Sequence, residues 1–325
     1  MNELSFREEL DLKIMKLSQN IWENKVDGIS LERWLGNFKS SDDYKECEQT
    51  HVLYLLSNFM YFGNREIREL LKSLYRDKYL KPLIQSIRRD NGDCKNIQQI
   101  DRIIDFEIKS TRFLGIGNPS ESGTHLLYFF RQENGLGKEN FIHSHEILSF
   151  DRSDENNLKI RMKKPDIKRY VFLDDVCGSG TQAIEYSKDL ISDMKAVDSS
   201  IQVYYFTLFS TVKGMQNIRD NSLFDKVDCV FELDESFKCF SDESRQFRNE
   251  SELPISKLFA KELCENYGMK LLKGNKRDCL GYKDSQLLLG FAHNTPDNTL
   301  PIIWVDDMEW EPLFKRYNKY YGLAY

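Results

Sequence analysis

Apolar residues recur at helical spacing through the first ninety positions. Leu10, Ile14, Leu17 and Ile21 mark one stripe, Val52, Leu55, Leu56 and Phe59 a second, and Ile67, Leu70, Leu71 and Leu74 a third. Asn64 and Glu66 offer a cap and an acidic first turn to the last of these. Pro82 and the turn-forming residues 90–93 punctuate the end of the region. The pattern predicts a helical N-terminal domain over residues 1–99, a docking or scaffold unit without a metal or nucleophile constellation.

From about residue 100 the pattern changes to alternating strands and helices, which predicts an α/β domain over residues 100–325 with a parallel sheet flanked by helices. Strands are expected at 112–116, near 170, at 201–209 and at 227–233. The apolar runs 286–291 and 302–305 predict an antiparallel strand pair. Residues 133–165 and 238–252 are polar and weakly periodic, and both read as long mobile loops.

The densest chemistry lies where the strand near 170 ends. The apolar run stops at Asp174 and Asp175, passes through Val176 and Cys177, and enters Gly178, Ser179, Gly180, Thr181 and Gln182. An amphipathic helix follows. Backbone amides at a helix start form an anion site, and glycines let a phosphate approach closely. Two carboxylates just before that loop would repel a phosphate itself, but they suit ribose hydroxyls or a magnesium ion beside it. A second strand–small loop–helix unit precedes it, with Gly117, Asn118, Ser120, Ser122 and Gly123 in the loop and Glu121 among them. In a parallel α/β sheet such loops gather at the carboxyl edge, where ligands bind. The segment 293–301, beginning with His293 and Asn294, is dense in polar and turn-forming residues; it reads as a structured hairpin or as the base side of a ligand pocket.

The acidic pair and its loop resemble the phosphoribosyl pyrophosphate (PRPP) motif of type I phosphoribosyltransferases. The sequence departs from that motif at its end, where Thr181 takes the free position and Gln182 stands where a hydroxyl is usual. The two loops together, with the tail from Gly281 to Trp304, resemble the phosphoribosyltransferase-like proteins of bacterial conflict systems, PRTase-CE. The resemblance implies a type I phosphoribosyltransferase-like sheet. It also implies that Asp174 and Asp175 hold the ribose and, indirectly, Mg, that 178–182 wraps a 5′-phosphate and that the 117–123 loop cradles pyrophosphate. The family's flexible catalytic loop falls at 133–165, so Lys138, His143 and Lys163 become candidate lid residues beside His145, Arg161 and Lys164. Members are associated with anti-phage defence alongside ATPases or reverse transcriptases, which implies such partners. Two readings stay open: an enzyme acting at an anomeric carbon, as a transferase or nucleotide N-glycosidase, and a nucleotide-sensing or protein-interaction module without catalysis.

Composition narrows the setting. A net charge of −6 argues against broad nucleic-acid binding, which relies on many Lys and Arg contacts to phosphates. No apolar run approaches the ~20 residues that cross a bilayer. The seven cysteines form no Cys-x-x-Cys pair, so the expectation is a cytoplasmic protein without a disulfide framework or zinc site. A homo-oligomer is left open.

Overall fold

The computed structural model describes residues 3–38, 45–117, 122–154, 157–307 and 309–317. They form two compact units, one from Met1–Ile67 and Asp234–Tyr325, the other from Arg68–Leu233. This division differs from the 1–99 and 100–325 expected from local pattern. The residues after 233 group with the first helices, whose apolar stripes need a partner that no short-range pattern reveals.

The chain opens with α1 (Glu3–Asn20), α2 (Gly28–Leu35), α3 (Lys45–Leu56) and the short β1 (Met60–Phe62). Asp27 caps α2, accepting from the Ser30 amide at 2.7 Å while the Ser30 hydroxyl receives the Asp27 amide. α4 (Asn64–Ser73) continues through a π-helical stretch, Leu74–Leu80, into α5 (Lys81–Asp90). Pro82 therefore does not break the chain. It stands directly after the π-helical stretch, in a segment whose preceding residues Leu80 and Lys81 are already helical. α6 (Ile97–Lys109) leads into the sheet.

The second unit is built on β2 (Thr111–Gly115), α7 (Ser122–Glu133), the hairpin β3 (Leu148–Asp154) and β4 (Asn157–Met162), β5 (Arg169–Cys177), α8 (Thr181–Val197), β6 (Gln202–Thr211), α9 (Val212–Asn221) and β7 (Lys226–Leu233). Strands β2, β5, β6 and β7 lie side by side in that order, all parallel. This is a mixed α/β architecture with a parallel sheet flanked by helices. On the far side of β2, Phe141 bridges Phe113, again in parallel. One face of the sheet offers Tyr170, Phe172, Val203 and Tyr205 to Ile191 and Met194 of α8 and Ile218 of α9. On β2, Phe113 instead meets the rings of Tyr75, Tyr79, Phe130 and Phe141. Burial on both faces explains why the central strands read as nearly unbroken apolar runs.

Residues 133–165 are not one long loop. Their second half is the antiparallel β3–β4 hairpin, paired from Leu148↔Met162 to Asp154↔Asn157 with a register shift between.

The first unit is completed by α10 (Lys257–Leu271), β8 (Leu289–Phe291) and α11 (Pro301–Trp304). The expected antiparallel tail pair does not form. β8 pairs in parallel with β1, and 301–304 is a single helical turn opened by Pro301. The core is aromatic: Trp22 meets Phe314 edge-on at 5.4 Å, Phe59 stacks on Phe314 at 4.5 Å, and Phe38 meets Trp310 at 5.3 Å. The indole of Trp34 donates to the Ile302 carbonyl at 2.8 Å. The 238–252 segment is anchored as well, with Cys239, Phe240 and Phe247 in this core and the Cys239 amide on the Gln286 carbonyl.

Candidate functional site

The chain leaves β2 through α7 to reach Phe141 on one side, and leaves β5 through α8 to reach β6 on the other. The two loops therefore depart in opposite directions from neighbouring strands. Such a reversal of winding opens a crevice at the carboxyl ends of the strands, the general ligand position of open α/β sheets. The Ile116 amide donates to the Leu173 carbonyl at 3.0 Å. Gly117, with φ +90°, thus turns away beside the residue that precedes the acidic pair.

Asp174 and Asp175 lie near the end of β5, with their carboxyls close enough to interact. Asp174 Oδ2 accepts the hydroxyl of Tyr205 at 2.9 Å, and its Oδ1 accepts the Asp175 amide at 3.0 Å. Asp175, 6% exposed, accepts the Val176 amide at 2.8 Å. Part of Asp174 reaches the surface, but its carboxyl is enclosed. Burial raises it well above the usual carboxylate range, and the charge of Asp175 pushes it further the same way. The Tyr205 hydroxyl and Cys177 thiol beside it are raised too, both chiefly by burial, the thiol to about 12. Cys177 is therefore a packed thiol and not a nucleophile.

The loop after the pair is held from behind by β6 and α9. The Thr211 hydroxyl donates to the Gly178 carbonyl at 2.5 Å, and Asn217 Nδ2 donates to the Ser179 carbonyl at 2.6 Å. Gly180 has φ +75° and lies against α9; a Cβ there would meet Gly214 O and Ile218 Cγ1 at 2.8 Å. Its glycine is thus required by the turn and by helix packing, not by an approaching phosphate alone. Ser179 and Thr181 bring their hydroxyls together at 3.0 Å, at the start of α8. Gln182 occupies the first turn of α8.

The other expected residues are distributed unevenly. Ser122 and Gly123 form the beginning of α7, while Asn118, Ser120 and Glu121 lie outside the described residues. His143 and His145 stack at 5.6 Å, Lys163 Nζ donates to the His145 carbonyl at 3.0 Å, and Tyr186 of α8 donates to Ser144 at 3.1 Å. His143 and Lys163 thus meet in one cluster against the early turns of α8. Lys138 is elsewhere: its neighbour Asn140 donates to the Ile108 carbonyl, ahead of β2, at the end of the strand opposite the crevice. His293 and Asn294 belong to the first unit, where His293 stacks on Phe291 and Asn294 Oδ1 accepts the Thr295 and Tyr317 amides.

Sequence reasoning missed Tyr205, Thr211 and Asn217. Each reaches the site from more than thirty positions downstream. The one available signal was that Thr211 stands as an N-cap before a helix.

Among solved structures the chain is similar to the AQ2163 protein of Aquifex aeolicus, at 15% identity and a TM-score of 0.23. That match covers 39% of this chain and 56% of the Aquifex chain, so this chain spans little more than half of that protein's length. It is also similar to the xanthine-guanine-hypoxanthine phosphoribosyltransferase of Helicobacter pylori, at 13% identity and a TM-score of 0.27, covering 54% of this chain and 93% of that one. No curated protein matches. The PRTase-CE family model matches residues 31–316, well over half of the 325 residues. On that match, the chain belongs to the PRTase-CE family.

Proposed function

We propose that the α/β unit binds a ribose 5-phosphate-bearing ligand, PRPP or a nucleotide, and acts at its anomeric carbon as an effector of a bacterial anti-phage system. The observation that carries the reading is the reversed winding after β2 and β5, with the Asp174–Asp175 pair near the end of β5 and the amides and hydroxyls of 178–182 beside it. The loop would take the 5′-phosphate and the 117–123 segment the pyrophosphate or a second anion. The carboxyls would receive the ribose hydroxyls and offset positive charge developing on the ring.

Magnesium fits this donor set. Among the described residues no three His, Cys, Asp or Glu side chains converge as a metal cage. Magnesium does not need one, since one or two carboxylates plus phosphate oxygens and waters complete its shell. Asp174 and Asp175 would hold it, and a cation there would relieve the enclosed, mutually repelling pair. When bound it would neutralise pyrophosphate charge. The chain's own residues position the ligand: Tyr205 fixes the Asp174 carboxyl, and Lys163, beside His143 and His145, supplies a cationic group near α8. ATPase or reverse-transcriptase proteins are the partners this setting suggests. No helix of the described residues is long and apolar enough to cross a membrane.

Isothermal titration with PRPP, NAD and nucleoside triphosphates, with and without magnesium, tests the reading. Binding that needs magnesium and disappears when Asp174 and Asp175 are both replaced by Ala is expected; no binding of any of them at millimolar concentration overturns it. A second reading, nucleotide sensing without turnover, is favoured by one observation: both oxygens of Asp174 already accept hydrogen bonds within the protein. The nucleotide pools of cells expressing the wild type beside the double mutant separate the two. Identical pools, with phage protection intact in the wild type, favour sensing.

A further inference from the structure

We infer that Thr211 and Asn217, on the β6–α9 junction, are positioning residues that hold the 178–180 loop and aim the Ser179 amide into the crevice. The inference rests on the reading of this loop as the phosphate subsite. A trans peptide is planar, with its N–H and C=O pointing opposite ways. Pinning the Gly178 carbonyl to Thr211 at 2.5 Å therefore turns the Ser179 amide away from α9. Pinning the Ser179 carbonyl to Asn217 at 2.6 Å fixes the next peptide plane, whose Gly180 amide is spent on the Cys177 thiol, and so holds the Ser179 amide between two fixed planes. Loop amides would otherwise be free to rotate away from an anion, and fixed donors need no reorganisation when it arrives.

The device extends one step further back. Asn221 Nδ2 donates to Asn217 Oδ1 at 2.8 Å. Asn217 thereby presents its amide nitrogen, not its oxygen, to the loop. Thr211 is doubly used, because its Oγ1 also accepts the Gly214 amide at 2.9 Å and so caps α9 while its proton holds the loop. Gly214 completes the contact, since a Cβ at that position would lie 3.0 Å from Cys177 Sγ and closer still to the Gly178 carbonyl. The absence of a side chain lets the helix and loop touch backbone to backbone. None of these three residues needs to contact a ligand to serve it.

The variants Asn217→Ala, Thr211→Val and Thr211→Ser test the inference in two measurements. Hydrogen exchange of the ligand-free protein comes first. Exchange in 178–181 should rise in Asn217→Ala and Thr211→Val and remain at the wild-type level in Thr211→Ser, which keeps the hydroxyl. The second is affinity for a ribonucleoside 5′-phosphate beside that for the same ribonucleoside without phosphate. The two disruptive variants should lose about three- to tenfold against the phosphorylated ligand, the scale of one lost hydrogen bond, and nothing against the other. Unchanged exchange in folded Asn217→Ala and Thr211→Val overturns the positioning role, whatever the ligand results. Equal losses for both ligands also overturn it, because a general loosening of the fold would do the same. Raised exchange in these variants, with no wild-type binding of the phosphorylated ligand, retains the clamp but rejects the phosphate subsite.

Discussion

Replacing Asp174 by Asn should stabilise the protein, and increasingly so as pH rises. Burial first, and the charge of Asp175 second, hold the Asp174 carboxyl well above its ordinary 3.8. The folded chain then keeps a proton that the unfolded chain releases once pH passes about 4. With fewer protons on the unfolded state, stability falls as pH climbs through that window and levels off only above the folded-state value. One retained proton makes the slope at most about 1.4 kcal/mol per pH unit. Asn opposes this gain by giving up an acceptor. It still receives Tyr205 or the Asp175 amide, but not both on carboxylate oxygens, which costs ~0.5–1.5 kcal/mol at every pH. The slope overtakes that cost within roughly one or two pH units. The variant should therefore be slightly weaker near pH 4 and gain on the wild type as pH rises, while losing ligand binding. Urea denaturation of both proteins from about pH 4 to about pH 8 measures the difference directly. Parallel curves across that range, or a less stable variant at neutral pH, would refute an enclosed and raised carboxyl.

Three further outcomes follow from packing. Gly214→Ala places a methyl group inside contact distance of the Gly178 carbonyl and should cost ~1–3 kcal/mol in denaturant unfolding, with weakened ligand binding; wild-type values for both would mean α9 does not support the loop. Trp34→Ala empties a fully buried site in the first unit and should cost ~3–5 kcal/mol, seen as faster proteolysis within 3–38, and equal proteolysis would contradict the core assignment. Thiol labelling of the native protein near neutral pH should modify the partly exposed Cys94 and spare Cys177, Cys239 and Cys264, which are buried; prompt labelling of Cys177 would contradict its enclosure.

The parallel strands and the acidic loop were legible because their signals are local. A strand buried on both faces is an apolar run, and from Asp174 near the end of β5 to Gly180 beyond it two carboxylates and two glycines fall within seven residues. Pairing between distant segments leaves no such local mark. β1 and β8 are three residues each and separated by most of the chain, so nothing near 289–291 foretells a parallel partner at 60–62. At 301–304, four apolar residues fit a strand or a helical turn equally, and Pro301 at the start favours the turn. The β3–β4 hairpin was missed because its strands are largely polar, with Phe150 exposed, so period-two alternation is faint. The partners of the loop's carbonyls, Thr211 at the end of β6 and Asn217 on α9, stand 33 and 38 positions away, beyond any motif window.

The first unit is made from two stretches of chain with the whole α/β unit between them. During synthesis the ribosome must translate residues 68–233 before the second stretch begins to emerge, on the order of 10–30 s at roughly 5–20 residues per second. Through that interval Trp22, Phe38 and Phe59 lack Trp310 and Phe314, the rings they lean on in the finished protein. The contiguous α/β unit has no such wait and can close first. Nascent chains arrested before residue 300 should therefore be cut readily in the first helices while 68–233 resists, and protection of both would mean those helices find a core without the tail. A helical segment synthesised first is thus completed last, and chaperone demand should fall on the N-terminal aromatics, not on the sheet.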